Sequence, residues 1–143
     1  MATTTLRDEI TRSPAETEAF GEIFGKRLRA GDMVLLAGEL GAGKTTFVRG
    51  IARGTASAAP VASPTFQLVR VYPGRVQLAH VDLYRIETPS EFGDLGLDEL
   101  LDQGAVVVEW GDRLDAPKAA LLHIEHLEGD RRVIRVKRDL RKK

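Results

Sequence analysis

Apolar residues fall along this chain in two rhythms. Phe20, Ile23, Phe24 and Leu28 recur at intervals of three and four, the spacing of one face of a helix. Ahead of them, Ser13-Pro14-Ala15-Glu16 puts a hydroxyl at the N-cap, proline at the first helical position and a carboxylate able to reach back to the cap. That combination predicts an amphipathic helix over Pro14–Arg29, ended by Gly31-Asp32. Met33–Ala37 and Ala105–Val108 show no alternation at all; short, uninterrupted apolar runs suit strands covered on both faces. Lys44 to about Arg53 reads as a second helix stopped by Gly54, and Thr55–Pro64, small and irregular, as loop. Phe66–Tyr72 alternates apolar with polar side chains, Pro73-Gly74 is a turn signal, and Val76–Val81 returns, so a hairpin is expected and the sheet should be mixed. Thr88-Pro89-Ser90-Glu91 repeats the capping-box pattern and predicts a short helix, while Leu121–His126 and Val133–Lys137 supply two further strands. Helices alternating with buried strands predict a three-layer α/β domain.

Composition narrows the setting more than the function. At 143 residues the chain suits a single domain, 1–143, with a hydrophobic core of its own. No apolar run approaches the roughly 20 residues of a membrane span. Met1–Thr5 is polar and followed by Arg7, Asp8 and Glu9, without the apolar stretch of a signal peptide; no membrane association and a cytoplasmic location are expected. Cysteine is absent, which removes disulfides, thiolate metal sites and cysteine catalysis. Net charge is zero but unevenly spread: seven acidic residues against one basic from Asp82 to Asp102, and eight basic against two acidic from Asp130 to Lys143. The expectation is a solvated acidic face and a frayed basic tail, about 137–143, with a docking surface for a protein or RNA partner as the sharper alternative.

The chemistry begins at Gly38-Glu39-Leu40-Gly41-Ala42-Gly43-Lys44-Thr45, which fits G-x-x-x-x-G-K-[ST] and is followed by Thr46. Glycines let the backbone turn tightly and point successive N–H groups inward, making an anion nest. The helix that follows adds its positive end. Lys44 supplies a mobile charge for the β- and γ-phosphates, and the Thr45 hydroxyl can ligate Mg²⁺. A buried strand before the motif and a helix after it are the context it needs. The reading is a site for a nucleoside triphosphate with Mg²⁺.

Such a loop works with an acidic residue at the end of a neighbouring strand. Two candidates stand open: Glu109, directly after Ala105–Val108, and Asp82, directly after Val76–Val81. Both would lie at strand carboxyl ends, where ligands collect in open α/β sheets. Ser63-Pro64-Thr65-Phe66 lies between the loop helix and the hairpin. It reads as a proline turn, or as a segment whose threonine senses the γ-phosphate. His80 shares a strand face with Asp82 and reads as a structural hydrogen-bonder; Trp110 reads as packing beside Glu109. The chain contains no asparagine, so a guanine-specific N-K-x-D element is impossible and ATP is favoured over GTP.

Taken together, Gly38-x-x-Gly41-x-Gly43-Lys44-Thr45-Thr46, Ser63-Pro64-Thr65-Phe66, His80-Val81-Asp82-Leu83-Tyr84-Arg85 and Glu109-Trp110 resemble the TsaE (YjeE) family, the small ATPases of bacterial tRNA threonylcarbamoyladenosine synthesis. The resemblance runs from about Ser13 to about Val136. It implies an α/β, three-layer P-loop NTPase-like domain with a mixed, mostly parallel central sheet, and slow, Mg²⁺-dependent ATP hydrolysis. It implies two protein partners, TsaB and TsaD, and contact with tRNA only through that complex. TsaD transfers the threonylcarbamoyl group to adenosine 37, and the ATPase cycle supports repeated turnover. By the resemblance, ATP is held by Glu39, Leu40, Gly41, Ala42, Gly43, Lys44, Thr45 and Thr46. Thr65 and Ser63 match a switch-like segment, and Arg132 an arginine near the nucleotide. Thr45 and Glu109 match the Mg²⁺ ligands, and Asp82 the acidic residue needed for hydrolysis; with Lys44, Asp82 and Glu109 form the expected catalytic set.

Two other functions use the same loop. A small-molecule kinase would carry an arginine-rich lid, and Arg131-Arg132 is the one candidate cluster, beside a predicted strand. A nucleotide-gated binding module would use nucleotide state to change partner affinity, with hydrolysis incidental. Direct tRNA recognition is disfavoured, because no basic stripe interleaved with aromatics is present.

Overall fold

The structure, a computed structural model, describes residues 7–39, 43–57, 69–83, 96–110, 116 and 118–140. Its elements are β1 (Glu9–Thr11), α1 (Pro14–Lys26), β2 (Met33–Ala37), α2 (Lys44–Gly54), β3 (Val69–Tyr72), β4 (Gln77–Asp82), α3 (Leu97–Gln103), β5 (Gly104–Glu109), β6 (Ala120–His126) and β7 (Arg132–Arg138).

The apolar runs form the centre, as their lack of alternation requires. Among the described residues the sheet has seven strands in the order β1-β7-β6-β2-β5-β4-β3. β6, β2, β5 and β4 run parallel; β3, β7 and β1 each join antiparallel to their neighbour. The sheet is therefore mixed, with three parallel ladders and three antiparallel. Every residue of β5 is buried. In β2, Val34 and Leu36 face one apolar cluster and Leu35 the other. The first cluster lies under α1 and α2, through Phe20, Phe24, Phe47, Val48 and Ile51. The second lies under α3, through Leu97, Leu100 and Leu101. These are the three predicted layers.

α1 and α2 pack backbone to backbone. A Cβ built on Gly50 would stand 1.9 Å from the Glu18 carbonyl oxygen, and one on Gly21 2.3 Å from that of Phe47. The glycines let Phe47 sit between Phe20 and Phe24, at ring centroid distances of 6.1 and 6.2 Å. Phe24 and Phe47 are fully buried, and each such ring stabilises the fold by roughly 1.5–3 kcal/mol.

Three boundaries differ from those read in the sequence. α1 ends at Lys26 rather than Arg29: the Arg27 and Leu28 N–H groups turn to the carbonyls three residues back, Phe24 and Gly25, and the Arg75 guanidinium takes up carbonyls at this end, donating to Gly25 at 3.1 Å, to Leu28 just past the helix at 3.2 Å, and to Gly54 of α2 at 3.3 Å. α3 has Gly96 as its N-cap, in the left-handed region and without a side-chain hydrogen bond, so the usual start signal is missing; the helix expected at Thr88–Glu91 lies outside the described residues. The basic C-terminal run is not frayed where it is described. β7 continues through Arg138, Asp139 and Leu140 are buried, and Asp139 accepts a bidentate pair of hydrogen bonds from Arg27, at 3.0 and 3.2 Å.

Candidate functional site

β2, β4 and β5 end together, and each is followed or closed by a residue of the predicted chemistry. Gly38 leaves β2 with φ of 144°, and Gly43 caps α2 with φ of 103°, conformations that favour glycine. Gly43 offers α2 no side-chain cap, so the first N–H groups of the helix are available to an anion. Lys44, the first residue of α2, is buried. Its Nζ donates to the carbonyl oxygens of Gly38 and of Glu39, the latter at 3.0 Å, so the ammonium ties the start of the loop to its end. It also lies 4.0 Å from the centroid of the Trp110 ring, within the range of a cation–π interaction. Glu39 is exposed, and Thr45 and Thr46 are half-buried in the first turn of α2. Leu40, Gly41 and Ala42 lie outside the described residues, as do Ser63 and Thr65.

The two acidic candidates meet across the β4–β5 ladder, where Asp82 and Glu109 are register partners. Leu36, the penultimate residue of β2, pairs with Glu109 on the other side. Alternation along the strands decides which face they use. Leu78, Ala105, Val107 and Leu36 belong to the cluster under α1 and α2. Asp82, four residues past Leu78, and Glu109, two past Val107, project to that same face, where α2 and its loop begin. Glu109 is 4% exposed and His80 0%, and His80 Nε2 donates to Glu109 Oε2 at 2.5 Å. Asp82 is half-buried. His80 is thus the structural hydrogen-bonder that its position suggested, with the Glu109 carboxylate as its acceptor. Trp110 takes φ of 62°, a left-handed conformation that costs a bulky residue on the order of 1–3 kcal/mol, and its ring packs under Lys44.

Arg132 opens β7, antiparallel to β6 and so at the same edge of the sheet. Its side chain runs alongside Gly43: a Cβ there would stand 3.4 Å from Arg132 Nε. Arg132 Nη1 donates to the carbonyls of Gly129 and Arg131, at 3.2 and 3.0 Å. A small open cleft lies here, lined by Pro14, Thr17, Gly43, Thr46, Asp130 and Arg132. Pro14, Thr17 and Asp130 were not legible as site residues; they belong to distant segments with no phosphate-binding motif, Pro14 reading only as part of a helix cap, and the tertiary fold brings them to the loop.

The donor set suits a hard cation. Among the described residues, no three His, Asp or Glu side chains converge on a metal position. Mg²⁺ commonly binds through one or two carboxylates completed by hydroxyl, water and phosphate oxygens, and the Glu109 carboxylate and the Thr45 hydroxyl are donors of those kinds.

The family model for "Threonylcarbamoyl adenosine biosynthesis protein TsaE" matches residues 11–137. This chain belongs to the TsaE family. Proteins named tRNA threonylcarbamoyladenosine biosynthesis protein TsaE resemble it over most of its length: that of Streptomyces coelicolor is 43% identical over 122 residues, covering 82% of this chain and 76% of the relative. That of Treponema pallidum is 42% identical over 106 residues, covering 73% and 78%, and that of Rickettsia typhi 33% over 132, covering 89% and 92%. The crystal structure of Bacillus subtilis YdiB superposes with a TM-score of 0.74 at 30% identity, covering 93% of this chain and 86% of that one. The TsaE match spans the phosphate loop, the β4–β5 carboxylates and Arg132 alike. No helix among the described residues is long and apolar enough to cross a membrane.

Proposed function

We propose that this TsaE-family chain binds and hydrolyses ATP with Mg²⁺, and that its cycle supports a TsaB–TsaD complex in threonylcarbamoylation of tRNA adenosine 37. One observation carries the catalytic part: a glycine-bounded loop with a buried lysine opens on the sheet face to which two register-paired carboxylates, Asp82 and Glu109, project. A binding site needs only the loop; carboxylates beside it add the means of hydrolysis.

In this reading the loop amides and Lys44 hold the phosphates and stabilise charge developing on the γ-phosphoryl group. Lys44 exchanges its loop carbonyls for phosphate oxygens. Glu109 and Thr45 hold Mg²⁺, which neutralises phosphate charge when bound. Asp82, less buried than Glu109, orients the attacking water and receives its proton. Arg132 reaches the nucleotide from the far side of Gly43. Its place at the start of β7, and not on a segment of its own over the loop, supports an ATPase above a kinase with an arginine lid.

The deciding experiment measures ATP hydrolysis by the protein alone and with the TsaB–TsaD pair of the same organism, alongside multiple-turnover modification of tRNA. A rise in hydrolysis on mixing, with modification that stalls after one turnover when this chain is withheld, is the expected result. Full multiple-turnover modification supported by a hydrolysis-dead variant would instead make the chain a nucleotide-gated binding module. Stoichiometric phosphorylation of a small acceptor would make it a kinase.

A further inference from the structure

We infer that His80 is a positioning residue that fixes the Glu109 carboxylate for the cation, an inference that rests on the Mg²⁺–ATP reading above. The backbone of Glu109 is held firmly, by the ladders to β2 and β4 and by the Leu83 N–H donating to its carbonyl at 3.1 Å. Its side chain has three further torsions, and none of those bonds restrains them. The described hydrogen bond to the carboxylate comes from His80 Nε2.

His80 is itself locked. It sits in β4 between Ala79 and Val81, is fully buried, and packs its ring 6.5 Å from that of Tyr72, tilted by 33°. Through it, the β3–β4 hairpin sets the aim of a carboxylate on β5. The choice of histidine is otherwise hard to justify. Among the described residues, Nδ1 is buried with no hydrogen-bond partner, a cost an apolar side chain of similar volume would avoid. With Nε2 as the donor, the group left unpaired is a bare lone pair, which is cheaper to bury than an N–H. What histidine adds at this depth is one rigid donor aimed at Glu109. Partners that orient a metal-binding carboxylate commonly affect metal affinity as strongly as they affect turnover.

The test separates the donor from the bulk of the ring. A glutamine side chain places its amide nitrogen the same number of bonds from Cα as His Nε2, whereas asparagine places it where Nδ1 stands. His80→Gln and His80→Asn are therefore compared with the wild type by titrating Mg²⁺ into protein bound to a non-hydrolysable ATP analogue, with analogue binding in EDTA measured separately. His80→Asn is expected to weaken apparent Mg²⁺ affinity about 10- to 100-fold and His80→Gln by no more than a few-fold, with binding in EDTA alike for all three. Equal Mg²⁺ affinity for the two variants, whether both high or both low, overturns the positioning role, because both keep the same amide donor and the one methylene between them sets how far it reaches. A wild-type complex indifferent to Mg²⁺ overturns the cation reading beneath it, and that outcome is seen before any variant is made.

Discussion

One face of one sheet is built in two incompatible ways. Under α1 and α2 it is apolar, with Phe24, Phe47 and Ile51 fully excluded from water and helices meeting through glycine backbones. At its carboxyl edge the same face buries an ammonium, a carboxylate and an imidazole with an unpartnered nitrogen, beside a tryptophan in a left-handed conformation. The first region gains stability from every contact. The second costs stability at several of them, and strain and buried polar groups cluster where a ligand is to be held. The contrast teaches that the helix pair acts as the rigid base from which the costly edge is suspended. Substitutions in the two regions should then fail in opposite ways.

The largest effect is expected at Lys44. Lys44→Ala should lower ATP hydrolysis by about 1,000-fold, or about 4 kcal/mol of transition-state stabilisation. Its unfolding midpoint should barely move, because the ammonium's described hydrogen bonds are to carbonyls of its own loop. A steady-state assay paired with thermal unfolding checks both halves; a variant that is inactive because it is unfolded would erase the contrast.

Gly50→Ala is the mirror case. Its methyl would enter the space of the Glu18 carbonyl, which belongs to backbone and cannot swing away. The helices must separate, and overpacking of this kind costs about 3 kcal/mol. Urea unfolding should show that loss, while hydrolysis per folded molecule stays near the wild-type rate. An unchanged midpoint would mean that the seam is looser than its geometry indicates.

These two residues also mark what could be read in advance. Lys44 announces itself through a local pattern, a buried run, a glycine loop and a helix, which needs no knowledge of topology. Met33–Ala37 and Glu109 were legible for the same reason, since a strand with no polar positions can only be central. The approach of Gly50 to Glu18 could not be seen, because it depends on how two helices cross. Arg132 beside the loop was reached only through the family resemblance, and His80 meeting Glu109 not at all; both are settled by strand order. The early end of α1 was hidden for a related reason: its cap is Arg75, supplied from the β3–β4 turn. β1 was missed because three residues on a sheet edge carry too little pattern to register.

Asp82 sharpens the comparison within the edge itself. Asp82→Asn keeps the shape and removes the acceptor for a proton. Nucleotide affinity should stay within a few-fold of wild type while kcat falls about 100-fold. A fall in affinity of equal size, with kcat preserved, would move Asp82 into the cation's ligand set and Glu109 into the role of base.

The smallest effect separates two costs that coincide at Trp110. Its ring supports Lys44, and its backbone carries φ of 62°. Trp110→Leu removes the ring and keeps the strain; Trp110→Gly removes both, since glycine adopts that conformation freely. At an ordinary half-buried position, shortening leucine to glycine loses about 2 kcal/mol from lost burial and added chain entropy. Here the relief of strain offsets about 1–2 kcal/mol of that. The two variants should therefore unfold within about 1 kcal/mol of each other, and both should bind ATP with affinities changed only several-fold, because the ring acts here through its contact with the lysine. If Trp110→Gly proves the weaker fold by the full 2 kcal/mol expected elsewhere, the left-handed turn at the end of β5 carries no strain, and the cost assigned to this edge rests on its buried polar groups alone.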